Sequence, residues 1–121
     1  MNRNLILLLV LSLGIILGCT KADEADQKNV GTLTLPIASF YFTGNEGPAP
    51  VEVVFHNSSE YSDQYEWTFH NGAKSNAFEP TFTYHNNTGS DKTYMVTLKV
   101  TDSGSGETNT RSKSILIHSS K

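Results

Sequence analysis

Residues 94–101 read Tyr94-Met95-Val96-Thr97-Leu98-Lys99-Val100-Thr101, and this alternation decides the class of fold. Successive side chains of a strand point to opposite faces, so Tyr94, Val96, Leu98 and Val100 share one apolar face while Met95, Thr97, Lys99 and Thr101 share a wet one. Downstream, Ser103-Gly104-Ser105-Gly106 turns the chain into a strand through Thr110 to His118 that points Ile115 and Ile117 inward. Upstream, Phe82 and Tyr84 alternate ahead of the loop His85 to Lys92. Tyr65, Trp67 and Phe69 put three aromatics on one face after the polar loop His56 to Gln64. Val51, Val53 and Phe55 form another inward row behind the turn Gly44-Asn45-Glu46-Gly47-Pro48. The first row is Ala38, Phe40 and Phe42, with Ser39 and Tyr41 facing the other way.

About seven short strands, no amphipathic helix and a tryptophan on the third strand predict an all-β, immunoglobulin-like two-sheet antiparallel β-sandwich. Pro36-x-Ala38-x-Phe40, Gly47-x-x-Pro50-x-x-Val53-x-Phe55, Tyr65-x-Trp67-x-Phe69-x-x-Gly72, Pro80-x-Phe82-x-Tyr84 and Tyr94-x-Val96-x-Leu98-x-Val100 also follow one another in the order seen in PKD domains. Residues 35–118 therefore resemble a PKD domain. The chain departs from that pattern after the tryptophan strand, where PKD domains commonly carry an aromatic-Gly-Asp-Gly turn and this sequence reads Phe69-His70-Asn71-Gly72. Phe82 likewise stands where the family usually has a histidine. The resemblance implies no catalytic residues and no single ligand.

The N-terminus says where the protein works. Asn2, Arg3 and Asn4 form a short positive region, and Leu5 to Leu17 are apolar but too few to cross a bilayer, which takes roughly 20 residues. Residues 1–18 read as a signal peptide. Ile16-Leu17-Gly18-Cys19 resembles the lipobox of bacterial lipoproteins, which implies a lipid on Cys19, the only cysteine of the chain, and with it a membrane as partner. No disulfide is then available to the mature domain. Residues 19–34 are polar, charged and aperiodic and read as a flexible tether. Asp23, Glu24 and Asp26 behind the cysteine resemble the export signal of surface-exposed lipoproteins in Bacteroidetes-type bacteria, and an acidic solvated linker reads equally well. The expected location is the cell envelope, at the outer membrane, with surface exposure as one reading.

Without Arg3 the chain carries eight basic and twelve acidic residues, a net charge of −4, and the cations are scattered singly. Nucleic acid, which is bound by clustered Lys and Arg, is excluded as a partner. His56, His70, His85 and His118 form no His-x-His or His-x-x-x-His pair. Glu60, Asp63, Asp91 and Asp102 lie in predicted loops without the dense run of oxygens that a calcium loop supplies, so neither a metal nor a cofactor is expected. No serine or threonine sits in a nucleophile motif, so no enzyme is expected. The sequons at Asn57-Ser58-Ser59 and Asn86-Asn87-Thr88 read as polar loops.

Binding remains. Tyr41, outward by parity, and Tyr61 and Phe78, in loops, are the candidate ligand-binding rings. The polar face bearing Glu66, Thr97, Lys99 and Thr101 is expected to offer no concave groove. The sequence leaves three roles open: an accessory or adhesion module that binds an envelope protein by a sheet face or edge, a module that binds extracellular polysaccharide through exposed aromatics, and a surface spacer.

Overall fold

The computed structural model describes residues 33–121, so the signal segment, Cys19 and the tether up to residue 32 lie outside the described residues. Seven strands follow: β1 Phe40–Thr43, β2 Val51–Asn57, β3 Gln64–Thr68, β4 Lys74–Ser75, β5 Thr81–Tyr84, β6 Lys92–Thr101 and β7 Thr108–Ile117. One antiparallel sheet has the order β1-β2-β5 and the other β4-β3-β6-β7, the two-layer arrangement expected from the alternation.

The residues predicted to point inward do so. Phe40, Val53, Phe55, Trp67, Tyr84, Val96, Leu98, Val100, Ile115 and Ile117 are buried between the sheets. Phe42, Val51, Tyr65, Phe82 and Tyr94 pack against them from the margins. Trp67 is at the centre, 5.0 Å from the ring of Phe40 and 5.4 Å from that of Phe55. Its indole Nε1 donates to the carbonyl of Ala77 at 2.9 Å, so the one polar atom of the ring is satisfied.

Three features differ from the sequence reading. The pair β4, only Lys74–Ser75, was not foreseen, because two residues carry no period. His56 and Asn57 belong to β2, where the reading began a loop. The sequons are framework. Asn57 is buried, donates to the carbonyl of Phe78 at 3.1 Å and accepts the N–H of Ser59 at 3.0 Å. Asn86 is buried as well, and its amide spans two segments by donating to the carbonyls of Ser90 and Ile117, each at 2.9 Å. Asn side chains that mimic backbone turns in this way hold irregular chain in place of regular pairing.

The inner face of β7 becomes polar toward its start, and that change seals the seam between the sheets. Lys113, opposite Val96, reaches across to the carbonyl of Phe40 in β1 at 2.6 Å with its ammonium 5.2 Å from the Phe40 ring. Asn109 accepts the N–H of Ala38 at 2.8 Å, and Asn45 donates to the carbonyl of Leu116 at 3.1 Å. These contacts occupy backbone groups that edge strands otherwise leave open. At the opposite end of β1, Gly44 takes φ 103° and an added Cβ would lie 2.6 Å from the carbonyl oxygen of Glu52, so only glycine fits that turn.

Candidate functional site

The three candidate rings occupy three separate settings. Tyr41 stands on the outer face of the β1-β2-β5 sheet, 56% exposed, stacked on His56 across the strand pair with ring centres 4.6 Å apart. His56 Nε2 is in turn 3.1 Å from the hydroxyl of Thr43. Phe78 is half-exposed in the segment before β5 and leans edge-on against Tyr65 at 5.1 Å. Tyr61 is 58% exposed in the β2–β3 connection and holds φ 56°, a left-handed backbone that side-chain-bearing residues rarely adopt. No ring contact joins any two of the three among the described residues.

The widest surface is the outer face of the β4-β3-β6-β7 sheet. β6 and β7 pair without interruption from Lys92↔Ile117 to Thr101↔Thr108. The outward positions are mostly hydroxyl-bearing, with Thr97 and Ser112 bonded side chain to side chain at 2.8 Å. Toward one end, Met95 and Leu116 are exposed and are diagonal neighbours, since Met95 pairs with Ser114 and Leu116 with Thr93. Toward the other end the face is not flat. Contrary to the sequence expectation, Gln64, Glu66, Asn76, Lys99 and Thr101 border an open depression of about 200 Å³. The cause is the unforeseen β4 and its exit: Asn76 donates to the carbonyl of Tyr65 at 3.0 Å and raises a wall beside β3. Glu66, opposite Lys99, also pairs with Lys74 at 3.6 Å, so the depression is polar and its charges face water.

A second cleft, of about 210 Å³, opens where the β5–β6 loop meets the C-terminal residues, among Pro50, His85, Asn87, Thr88, Tyr94 and Ser120. Tyr94 is turned into place by its hydroxyl, which donates to the carbonyl of His85 at 3.3 Å. Its ring is already engaged, 4.1 Å from His70 and stacked with Tyr84 at 5.6 Å. Among the described residues the buried hydroxyl of Tyr84 has no hydrogen-bond partner, and burial pushes its pKa up to about 12.

The loop acids serve the fold. Asp63 accepts both the N–H and the hydroxyl of Ser103, and these bonds hold its carboxyl below the ordinary value. Asp102 caps Gly104 and Ser105. Asp91 lies 3.0 Å from His118 Nδ1 and accepts the N–H of Ser119, tying the β5–β6 loop to the C-terminal residues. No three groups of the metal-ligating type converge among the described residues.

His70 sits exposed in the Phe69-His70-Asn71-Gly72 turn. Gly72 supplies the positive φ, at 87°, and its N–H returns to the carbonyl of Phe69 at 2.9 Å, so His70 keeps a relaxed backbone. The imidazole lies against Tyr94 and Tyr84, and the partial desolvation there lowers its pKa below the ordinary 6.5. The folded protein thus binds fewer protons at this position than the unfolded chain. Stability present above pH 6.5 is lost as pH falls toward the depressed value. Urea midpoints measured between pH 7.5 and 5.5 are expected to fall with pH, and His70→Gln to flatten that slope. An unchanged slope in His70→Gln would assign the effect elsewhere.

No protein-family model matches the chain, and no curated protein matches it. Solved structures do. The chain is similar to the PKD1 domain of Vibrio anguillarum Epp, at 28% identity and a TM-score of 0.58, over 71% of this chain and 96% of that one. It is equally similar to the PKD1 domain of the Vibrio cholerae metalloprotease PrtV, at 28% identity and a TM-score of 0.57, over 71% of this chain and 100% of that one. A third similarity, at 27% identity and a TM-score of 0.61, is to a structure from a study of promiscuous specificity in carbohydrate-binding modules of the β-sandwich superfamily, and covers 73% of this chain but 36% of that one.

Proposed function

We propose that this PKD-like β-sandwich is the working part of a lipid-anchored envelope protein and serves as a non-catalytic accessory module that holds a protein partner. Its similarity to PKD domains, which are non-catalytic modules, supports the accessory role. The observation that carries the preference for protein is the dispersal of the rings: Tyr41 is taken up by His56, Phe78 by Tyr65, and Tyr61 stands apart, so no row of coplanar rings faces a sugar chain. The broad outer face of the four-stranded sheet, with Met95 and Leu116 exposed side by side, suits a second protein surface. Strand addition to the four-stranded sheet is disfavoured, because β4 has only two residues and β7 gives the carbonyl of Leu116 to Asn45.

Polysaccharide binding is the second reading. The similarity to a structure from a carbohydrate-binding-module study and the polar depression beside Glu66 and Lys99 favour it. A cross-linked pull-down of the tagged full-length protein from its native envelope separates the two. A stoichiometric protein partner is expected that survives the Tyr41, Tyr61 and Phe78 alanine triple variant and is lost in Met95→Asp with Leu116→Asp. Co-purifying glycan that is competed by soluble polysaccharide would replace the first reading with the second. In the same preparation Cys19→Ala is expected to leave the membrane fraction, and its retention there would remove the anchor from the proposal.

A further inference from the structure

Three exposed apolar residues gather where the chain enters the sandwich. Leu35 is 53% exposed, Ile37 45% and Tyr61 58%. Backbone pairing brings them to one end of the sandwich: Ile37 and Glu60 exchange both hydrogen bonds at 2.9 Å, Tyr61 directly follows Glu60 and so stands level with Pro36, and Leu35 has the same parity as Ile37 two residues earlier. Scattered apolar residues on a surface call for no explanation, but this group has two further properties.

The first is backbone strain. Tyr61 keeps a left-handed backbone, at φ 56°, to hold an aromatic ring in water, whereas glycine would take that conformation without strain. The second is position. The patch lies next to the point at which the folded domain is joined to residues 19–34. From Cys19 to Leu35 even fully extended chain spans at most about 55 Å. A lipid on Cys19 therefore keeps a bilayer surface within reach of this end of the sandwich, where the connection begins. Effective concentration turns a weak affinity held on such a short connection into substantial occupancy.

We propose that Leu35, Ile37 and Tyr61 form a membrane-resting patch: the anchored domain lies with this end in the headgroup region of its own bilayer, Tyr61 at the interface. This rests on the lipid anchor of the preceding section. Tyrosine suits that depth because its ring is apolar and its hydroxyl stays wet. The charge around the patch selects the kind of surface. Glu60 borders it, and the bonds from Asp63 to Ser103 place the loop with Asp102 and Glu107 at the same end. These carboxylates disfavour an anionic surface, so the patch fits zwitterionic headgroups. The outer face bearing Met95 and Leu116 is then left to the partner, since that pair sits near the start of β6 and the end of β7, at the far end of the hairpin.

The test uses full-length lipidated protein in phosphatidylcholine vesicles, with Tyr61→Trp as the reporter and Met95→Trp as the control. Trp67 is a constant buried background. Tryptophan at 61 is expected to shift to the blue and lose emission when the lipid chains are brominated, and to lose that response when Leu35→Ser and Ile37→Ser are added. The reporter at 95 is expected to stay solvent-like. Replacing part of the phosphatidylcholine with phosphatidylglycerol is expected to weaken the quenching at 61. If the protein stays on the vesicles through Cys19 while tryptophan at 61 remains as open to aqueous iodide as tryptophan at 95, the patch is overturned and the anchor stands. If the full-length protein floats free of the vesicles, both fall.

Discussion

Trp67→Ala leaves the domain unfolded or nearly so at room temperature. The side chain is fully buried between the sheets, in edge and tilted contact with Phe40 and Phe55. Its removal opens a cavity in a site that two rigid sheets cannot close, a loss of about 3–5 kcal/mol. The hydrogen bond from the indole N–H to the carbonyl of Ala77 is lost as well, about 0.5–1.5 kcal/mol more. A domain of this size has roughly 5–15 kcal/mol in total, and residues 33–121 contain no cysteine that could bridge it. Trp67→Phe keeps most of the volume but drops the hydrogen bond, so its urea midpoint should lie between those of the parent and the alanine variant. A cooperative transition close to the parental midpoint in Trp67→Ala would mean that the core is organised around another residue.

Asn86→Asp is the second large effect, and it depends on pH. The amide nitrogen of Asn86 gives its two protons to the carbonyls of Ser90 and Ile117, and its oxygen accepts the N–H and the hydroxyl of Thr88. Aspartate at this site would aim a carboxylate oxygen at two carbonyl oxygens in a buried position. Burial and the loss of both donated bonds disfavour the charged form, so folding raises the carboxyl's pKa above its unfolded value of about 3.9. The destabilisation is then greatest at neutral pH and shrinks as pH falls toward that unfolded value, opposite in sign to the trend expected for His70. Asn86→Ala removes the four bonds without adding charge and should cost roughly 2–4 kcal/mol at any pH. Denaturant midpoints of both variants at pH 7 and pH 4.5 decide the matter, and a pH-independent loss in Asn86→Asp would show that the site admits water.

The two variants also mark what the sequence could and could not convey. Trp67, the inward rows and the two-sheet architecture are written in a period of two, which is local and survives without any partner in view. Asn86 acts across to Ile117, far along the chain, and Asn57 across to Phe78. Nothing beside them distinguishes a buried, fully bonded amide from a solvated one, so both read as polar loop. The same holds for Lys113 and Asn109, whose inward parity on β7 was legible while their targets, Phe40 in β1 and Ala38 just before it, were not. His56 reads as loop in the sequence because a polar residue on the wet face of a strand resembles the beginning of a turn. At the candidate site, the outward parity of Tyr41 and the loop positions of Tyr61 and Phe78 could be read, but their separation could not. The depression beside Glu66 and Lys99 depends on β4, which is too short to have a pattern.

The uninterrupted β6–β7 ladder also sets the order in which the molecule assembles. Its ends are joined only by Asp102–Glu107, so its contacts close a short loop, whereas β2 must find β5 across the whole of β3 and β4. Chain entropy charges least for the nearest pairings, and the hairpin offers the longest run of them in the domain. Substitutions in β6 and β7 are therefore expected to change the refolding rate, and those that loosen β1, held by Lys113 on Phe40, to change chiefly the unfolding rate.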